Sequence, residues 1–277
     1  MRKARQGGVA IVLAMGVVAV ATLAAVALLA SQSTWSRHAE LGAEHAQAQA
    51  LVPAGVDWAR AVLSDDRRMS NVDHLGEAWA LRLPPVPVDN GELAGEIDDQ
   101  QGAFNLNNLA KAGVASPPQF AQFRRLLQIL GLPEALADPA IAARLPLVDA
   151  AELALIPGFD DAVRRRLAPF VTALPRFTAV NVNTAPPEVL AAVLEGVDLD
   201  AARELVAQRG RAYFRNGAEF VAQLPAGAVA AANDIATASD FFQANVRVTI
   251  GEAQARGSAL LARGPSGWPD VVWRKYP

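Results

Sequence analysis

Between Arg5 and Arg37 the chain carries no charged side chain, and from Val9 to Ala30 it runs 22 residues whose most polar member is Thr22. As a helix this stretch is about 33 Å long, enough to cross the hydrocarbon core of a bilayer. Lipid and a bundle of other apolar helices ask for the same side chains, so the stretch suits either surrounding. Arg2, Lys3 and Arg5 precede it. The positive-inside bias keeps that end in the cytoplasm and places everything after Ala30 on the other side of the membrane.

Three uses of such a segment are open from these residues alone. A secretory signal is one, with Ala25-Val26-Ala27 or Leu28-Leu29-Ala30 as small-residue cleavage sites; secretory apolar cores are shorter, about 7–15 residues. A permanent single-span anchor is the second. The third is a prepilin-like leader, a short basic tail ending in Gly8, cut on the cytoplasmic side so that Val9 becomes the mature N-terminus.

The residues after the span favour a rod that continues out of the membrane. SRHAELGAEHAQAQALVPAGVDWARAVLSDD reads as helix, with Leu41, Ala48, Leu51, Val56 and Ala59 on its inner face and a kink expected at Pro53. Residues 82–109 change character. Asp89-Asn90-Gly91 is a hairpin-turn signal, Leu93, Gly95 and Ile97 alternate with acids as in a half-buried strand, and FNLNN reads as a tight polar turn.

From Ser116 to about Asp234 the pattern is helical. SPPQFAQFRRLLQILG places Ser116 as a cap and buries Phe120, Phe123, Leu126, Leu127 and Leu130. Two helical hairpins come next, one around Pro157-Gly158 and one in which Thr184 and Asp198 cap helices that stop at Gly196 and Gly210. The last forty or so residues return to strands, in FFQANVRVTIG, GSALLARG and PDVVWRKYP. The economical architecture is α+β, a long N-terminal transmembrane helix on one antiparallel sheet, with an all-α domain inserted between its strands. The boundaries expected are 1–8 leader, 9–30 transmembrane helix, 31–115 first part of the α/β body, 116–235 helical insertion and 236–277 C-terminal strands.

Composition removes several functions. With no cysteine, thiol catalysis, zinc-thiolate sites and disulfides are excluded, and a net charge of −3 does not suit a general nucleic-acid binder. Three histidines stand in no catalytic or metal motif: His38 and His45 are seven apart on one helix, and His74 falls in a loop where a surface role is the default. Gly264-Pro265-Ser266-Gly267 is a turn rather than a nucleophile elbow, and Asp198-Leu199-Asp200 is helix capping rather than a calcium loop. The chain therefore reads as a non-enzyme. The helical hairpins are similar to helix-hairpin-helix modules, which makes a membrane-anchored DNA-uptake protein the competing reading. Acids beside both turns, Asp160 and Asp161 after Gly158 and Glu195 and Asp198 around Gly196, would repel a phosphodiester, and Arg164-Arg165-Arg166 is the one basic run.

RQGGVAIVLAMG, EAWA with GELAGEIDDQQGAFNLNNLA, AVNVNTAPPEVLAAVL, and FFQANVRVTIG with GSALLARG and VVWRK occur in that order over nearly the full length. In these stretches the chain resembles the K-type minor pseudopilins of the type II secretion system (general secretion pathway protein K). The resemblance implies cleavage after Gly8 by the prepilin peptidase, an N-methylated Val9, and a single-pass inner-membrane protein with its bulk in the periplasm. It implies I- and J-type minor pseudopilins and the pseudopilus as partners, no nucleic acid, and a place at the filament tip in support of protein export. Most pseudopilins carry Glu at the fifth mature position, where it can neutralise a neighbour's terminal amine inside the membrane. Here the fifth is Leu13, and K-type subunits are similar in lacking the Glu. Many family members bind calcium through an acidic loop of the helical domain. The matching LADPAIAARLPLVDAAEL lacks that acidic run, keeping only Asp138 and Asp149 with Asp160 beyond, so neither metal nor other cofactor is expected here.

Overall fold

The computed structural model describes residues 7–111, 113–137, 145–264 and 267–276. A single helix, α1 (Gly7–Met69), spans 63 residues and passes through Pro53 without ending. Its two halves live in different surroundings. The apolar side chains from Ile11 to Leu29 are exposed, and the first buried position is Ala48. From there Ala48, Val52, Val56, Ala59 and Leu63 form a stripe at spacings of three and four, the signature of a helix with one covered face. Ala48, Val56 and Ala59 lie where the sequence placed them. Leu51 and Leu41 sit half-buried at the margin, and Val52 and Leu63 complete the stripe.

The cover is a five-stranded antiparallel sheet. β1 (Leu83–Val88) and β2 (Gly91–Asp99) form a hairpin turning at Asp89-Asn90, with Asn90 at φ 58° as the turn signal requires. β1 holds three prolines, residues that in sequence argue against a strand. It is tolerated because it is the outer strand, with its register broken between Leu83 and Val86, so the missing N–H groups break no interior ladder.

After β2 the chain leaves the sheet for residues 100–240. This part is built from β3 (Phe104–Asn105), β4 (Ala110–Lys111), β5 (Val114–Ala115), α2 (Pro117–Ile129), α3 (Asp161–Leu167), β6 (Val171–Thr172), β7 (Val180–Asn181), α4 (Pro187–Val193), α5 (Leu199–Arg209), α6 (Gly217–Val221) and β8 (Ile235–Ala236). Its short strands pair as two-residue stitches, β3 with β6 and β7 with β8 in parallel, β4 with β5 antiparallel. The chain then re-enters the sheet as β9 (Phe241–Ile250), β10 (Ala253–Ala262) and β11 (Asp270–Lys275), giving the order β1-β2-β9-β10-β11. Strands from both sides of the helical stretch thus share one sheet, and α1 packs across β9 and β10. Along β9 the even-numbered residues Phe242 to Ile250 are buried toward α1, the period-two pattern seen in the sequence.

Two apolar cores result. One joins α1 to the sheet through Val52, Val56, Leu63, Phe242, Val246 and Val248. The other fills the helical part, with Phe104, Phe123, Leu126, Leu190 and Phe220 among its members. A small third cluster, Leu174, Phe241 and Leu260, joins the two on the sheet face away from α1. The five apolar residues anticipated for α2 are all buried. Two caps differ from expectation. Ser116 stands at the N-cap of α2 but makes no side-chain cap bond, because prolines at the first helical positions leave fewer N–H groups to satisfy. The N-cap of α4 is Pro186 rather than Thr184, whose hydroxyl is drawn to Asp99 instead.

The contact between α1 and the sheet depends on paired large and small residues. A Cβ on Gly55 would come within 2.5 Å of Val246, and one on Gly257 would overlap Val52 and the ring of Tyr276. Val246 and Gly257 face each other across β9 and β10, so helix and sheet each offer a valine where the other offers a glycine. A substitution Gly55→Leu should lower unfolding stability by about 1–3 kcal/mol through overpacking, read as a fall in the urea midpoint, whereas Gly42→Leu, at an exposed glycine with open space around it, should leave it nearly unchanged.

Candidate functional site

The first half of α1 is one candidate. Leu13 is 64% exposed, in line with Ile11, Val12, Met15 and their successors, all uncovered by the rest of the protein. The hydroxyl of Thr22 donates to the carbonyl of Val18 at 2.8 Å, so even the most polar side chain of the run is satisfied within the helix. The helix is long and apolar enough to cross a membrane. Gly8 and Val9 fall in its opening turns, while Met1 to Gln6 of the expected leader lie outside the described residues. Beyond the bare stretch, Arg37 pairs with Glu252 and the Glu44 carboxylate accepts from the Glu252 N–H at 3.1 Å, which hooks the β9–β10 turn to the helix.

At the other end of α1 lies a buried polar junction. The guanidinium of Arg263, just past β10, bridges the carboxylates of Asp66 on α1 and Asp73 in the loop after it, and stacks 4.4 Å from the ring of Phe242. Asp66, Asp73 and Glu77 bring carboxylate oxygens within 4.8 Å of one another, a spacing that could hold a metal ion, but the positive charge at this spot is the arginine. Burial first, then the neighbouring Glu77, pushes the Asp66 carboxyl up to about 6; burial likewise raises Asp73.

Asp73 also accepts from the N–H of Ser239, and its carbonyl accepts from Asn181, so the junction extends into the helical part. There Asp99, at the end of β2, accepts from the hydroxyls of Thr184 at 2.6 Å and Ser239 at 2.7 Å, from Asn181 at 3.0 Å and from the Gln101 N–H at 2.8 Å. Burial lifts this carboxyl to about 6, against the opposite pull of the Thr184, Ser239 and Gln101 hydrogen bonds. His74 belongs to the same region. It is not a surface residue but lies half-buried, stacked on Tyr213 at 3.9 Å.

The asparagines of FNLNN make the polar turn, Asn105 accepting from the Asn107 N–H, and with Asn183 they also serve as internal struts. Asn105 donates to the carbonyl of Arg176 and to Thr178, Asn107 donates to the carbonyls of Leu147 and Leu174, and Asn183 exchanges two bonds with the backbone of Phe214. Among the acids of the helical part, Asp149 caps Ala151 and pairs with Lys275, and Asp160 caps α3; Asp138 lies outside the described residues. Asp198 caps α5 by accepting from Ala201, so at both hairpins a carboxylate takes the N–H group that a phosphate would need. Of the Gly264–Gly267 turn, Pro265 and Ser266 lie outside the described residues. His38 is exposed, and His45 meets Gln49 at 3.0 Å, an exposed pair on α1.

A bare apolar rod whose outer half docks on an antiparallel sheet is the layout of a pilin-like assembly subunit. Comparison with known proteins narrows the class. A family model described as type II secretion system protein K matches residues 180–239, and a second with the same description matches 134–176. The type II secretion system protein K of Pseudomonas aeruginosa is 34% identical, aligned over 97% of this chain and 92% of that one; its namesake in Klebsiella pneumoniae is 30% identical over 98% and 97%. A crystal structure of the GspK-GspI-GspJ complex from enterotoxigenic Escherichia coli superposes with a TM-score of 0.69 at 19% identity, over 87% of this chain and 99% of that chain. The chain belongs to the type II secretion system protein K family, the K-type minor pseudopilins.

Two outcomes test the junction. Arg263→Met removes the partner of two buried carboxylates and should cost about 3–5 kcal/mol of unfolding stability. For Asp99, whose folded value lies above the ordinary 3.8, the folded chain holds a proton that the unfolded chain has released between about pH 4 and 6. Its contribution is therefore largest below about pH 4 and is lost as pH rises through about 6. The urea midpoint of the native chain, taken relative to Asp99→Asn, should fall as pH is raised from 4 to 7; a flat difference would show that Asp99 ionises normally.

Proposed function

We propose that the chain is made as a prepilin in the inner membrane, cleaved after Gly8 to leave an N-methylated Val9, and carried at the tip of a periplasmic pseudopilus, where it supports assembly for protein export. In this reading residues 9–30 are the single membrane span and later the helix packed in the filament. The residues flanking the insertion form the pseudopilin body, and the insertion, expected over 116–235 and leaving the sheet from 100 to 240, is a helical cap. The partners are I- and J-type minor pseudopilins, like the GspI and GspJ that accompany GspK in the neighbouring crystal structure.

The observation that carries the reading is where the helical part attaches. It leaves the sheet at Asp99 and rejoins it at Phe241, beside Arg263 and the Asp66 end of α1, whereas Gly251 and Glu252 at the opposite end of the sheet touch Arg37 and Glu44 near the bare half. This attachment, at the end of the sheet away from the bare half of α1, supports a reading in which the bulk covers the position a further subunit would take. Leu13 fits the same picture. A subunit with nothing above it has no neighbouring amine to neutralise, and an unpaired carboxylate at that depth would be costly. The carboxylate-capped hairpins favour protein over DNA as what the helical cap meets.

Mass spectrometry of the protein recovered from cells with and without the prepilin peptidase tests the reading. The expected mature start is methylated Val9 with the peptidase and Met1 without it. A start at Ser31 in both would show an ordinary secretory signal and remove the pseudopilin mechanism.

A further inference from the structure

Past Ala30, α1 enters a polar stretch, and over residues 31–40 its one large apolar side chain is Trp35. The indole is 78% exposed and makes no hydrogen bond or ring contact among the described residues. Its neighbours along the helix, Gln32, Ser36, Arg37 and His38, are exposed as well. An indole joins a broad apolar body to one N–H donor, so neither open water nor hydrocarbon serves both parts of it. Tryptophan is enriched at the membrane–water boundary for that reason. The place of this one along the rod is defined. Trp35 stands about 7–8 Å beyond Ala30, where the apolar run ends. The headgroup layer on each side of a hydrocarbon core is about 5–8 Å deep.

We infer that Trp35 is a membrane-interface anchor, whose indole lies among the lipid headgroups of the leaflet nearer the sheet and sets the depth at which α1 crosses the bilayer. The inference rests on the reading of residues 9–30 as a membrane span, and adds to it a partner and a register. Distance fixes the partner. From Val9 to Trp35 the unbroken helix runs about 39 Å, close to the roughly 40–45 Å of a bilayer with both headgroup layers. With the indole in one interface, Val9 stands in the other. A terminal amine there keeps its hydration without a carboxylate at position 13, which is Leu13. On the other side, Glu44 holds the β9–β10 turn about 13 Å farther along the helix, which leaves the indole uncovered by the folded body. Headgroup phosphates and esters supply the acceptor that the indole N–H lacks within the chain.

The full chain, reconstituted in phosphatidylcholine liposomes and recovered by flotation, provides the test. The probes are phosphatidylcholines brominated either just below the headgroup or near the chain methyls, which quench tryptophan fluorescence at those depths. Subtracting the emission of Trp35→Phe from that of the native chain isolates one of the five tryptophans. The Trp35 component should be quenched, more by the shallow bromine than by the deep one, and the four tryptophans left in Trp35→Phe should lose little emission to either. In that background Leu29→Trp, about 9 Å deeper, should reverse the preference, and Glu40→Trp, about 7–8 Å farther out, should escape quenching. A Trp35 component that stays unquenched in a chain that floats overturns the anchor and leaves the span standing. One quenched more by the deep bromine does the same, since it places the indole in hydrocarbon. A chain that does not float with the liposomes overturns the span and the anchor together.

Discussion

The close approach of α1 to the sheet is the contact from which the rest of the architecture is organised. Valine against glycine in both directions lets helix and strands meet without a gap, and the stripe from Ala48 to Leu63 is wide enough to hold the helix by burial alone. Before Ala48 no side chain of α1 is buried among the described residues, and the helix meets the sheet at the β9–β10 turn through Arg37 and Glu44. At about 1.5 Å per residue the part from Gly7 to Gln47 extends about 60 Å. A single helix thus meets two opposite demands, apolar surroundings supplied from outside for one half and a built-in partner for the other.

Polar groups do the complementary work of fixing orientation. Apolar contact between the helical part and the sheet is small, limited to the cluster around Leu174, Phe241 and Leu260. Direction comes instead from bonds with defined geometry: Arg263 across Asp66 and Asp73, Asp99 beneath Thr184, Ser239 and Asn181, and His74 flat against Tyr213. The asparagine-rich segments that carry the family resemblance belong to this scaffolding. They mark where loops are strapped to backbone carbonyls, which gives these internal sequences a structural reason.

Local pattern made much of this legible. The rod, the Asn90 turn, the face of α2, the cap at Asp198 and the alternation in β9 are all set by neighbours within a few residues, and each stands where the spacing indicated. The features that spacing does not reveal depend on partners far apart in the chain. Nothing near Arg263 announces Asp66 about 200 residues earlier, and Thr184, a natural cap by its position, is claimed by a carboxylate in another element. The prolines of β1 speak against a strand because edge position cannot be read from a single segment.

The pairing of β2 with β9 has a bearing on how the chain reaches this state. Asp99 and Phe242 stand directly opposite one another, with about 140 residues between them. Bringing those ends together as an open loop is entropically unfavourable and slow. A helical part that condenses first, on its own core, delivers both ends to the same place and leaves only a short gap for the ladder to close. The β9–β10 hairpin, which is local in sequence, can meet α1 without that help; what a condensed insertion eases is the pairing of β2 with β9. An insertion at this point of the sheet therefore decides how readily β2 can join β9, two strands that meet only across the whole inserted part.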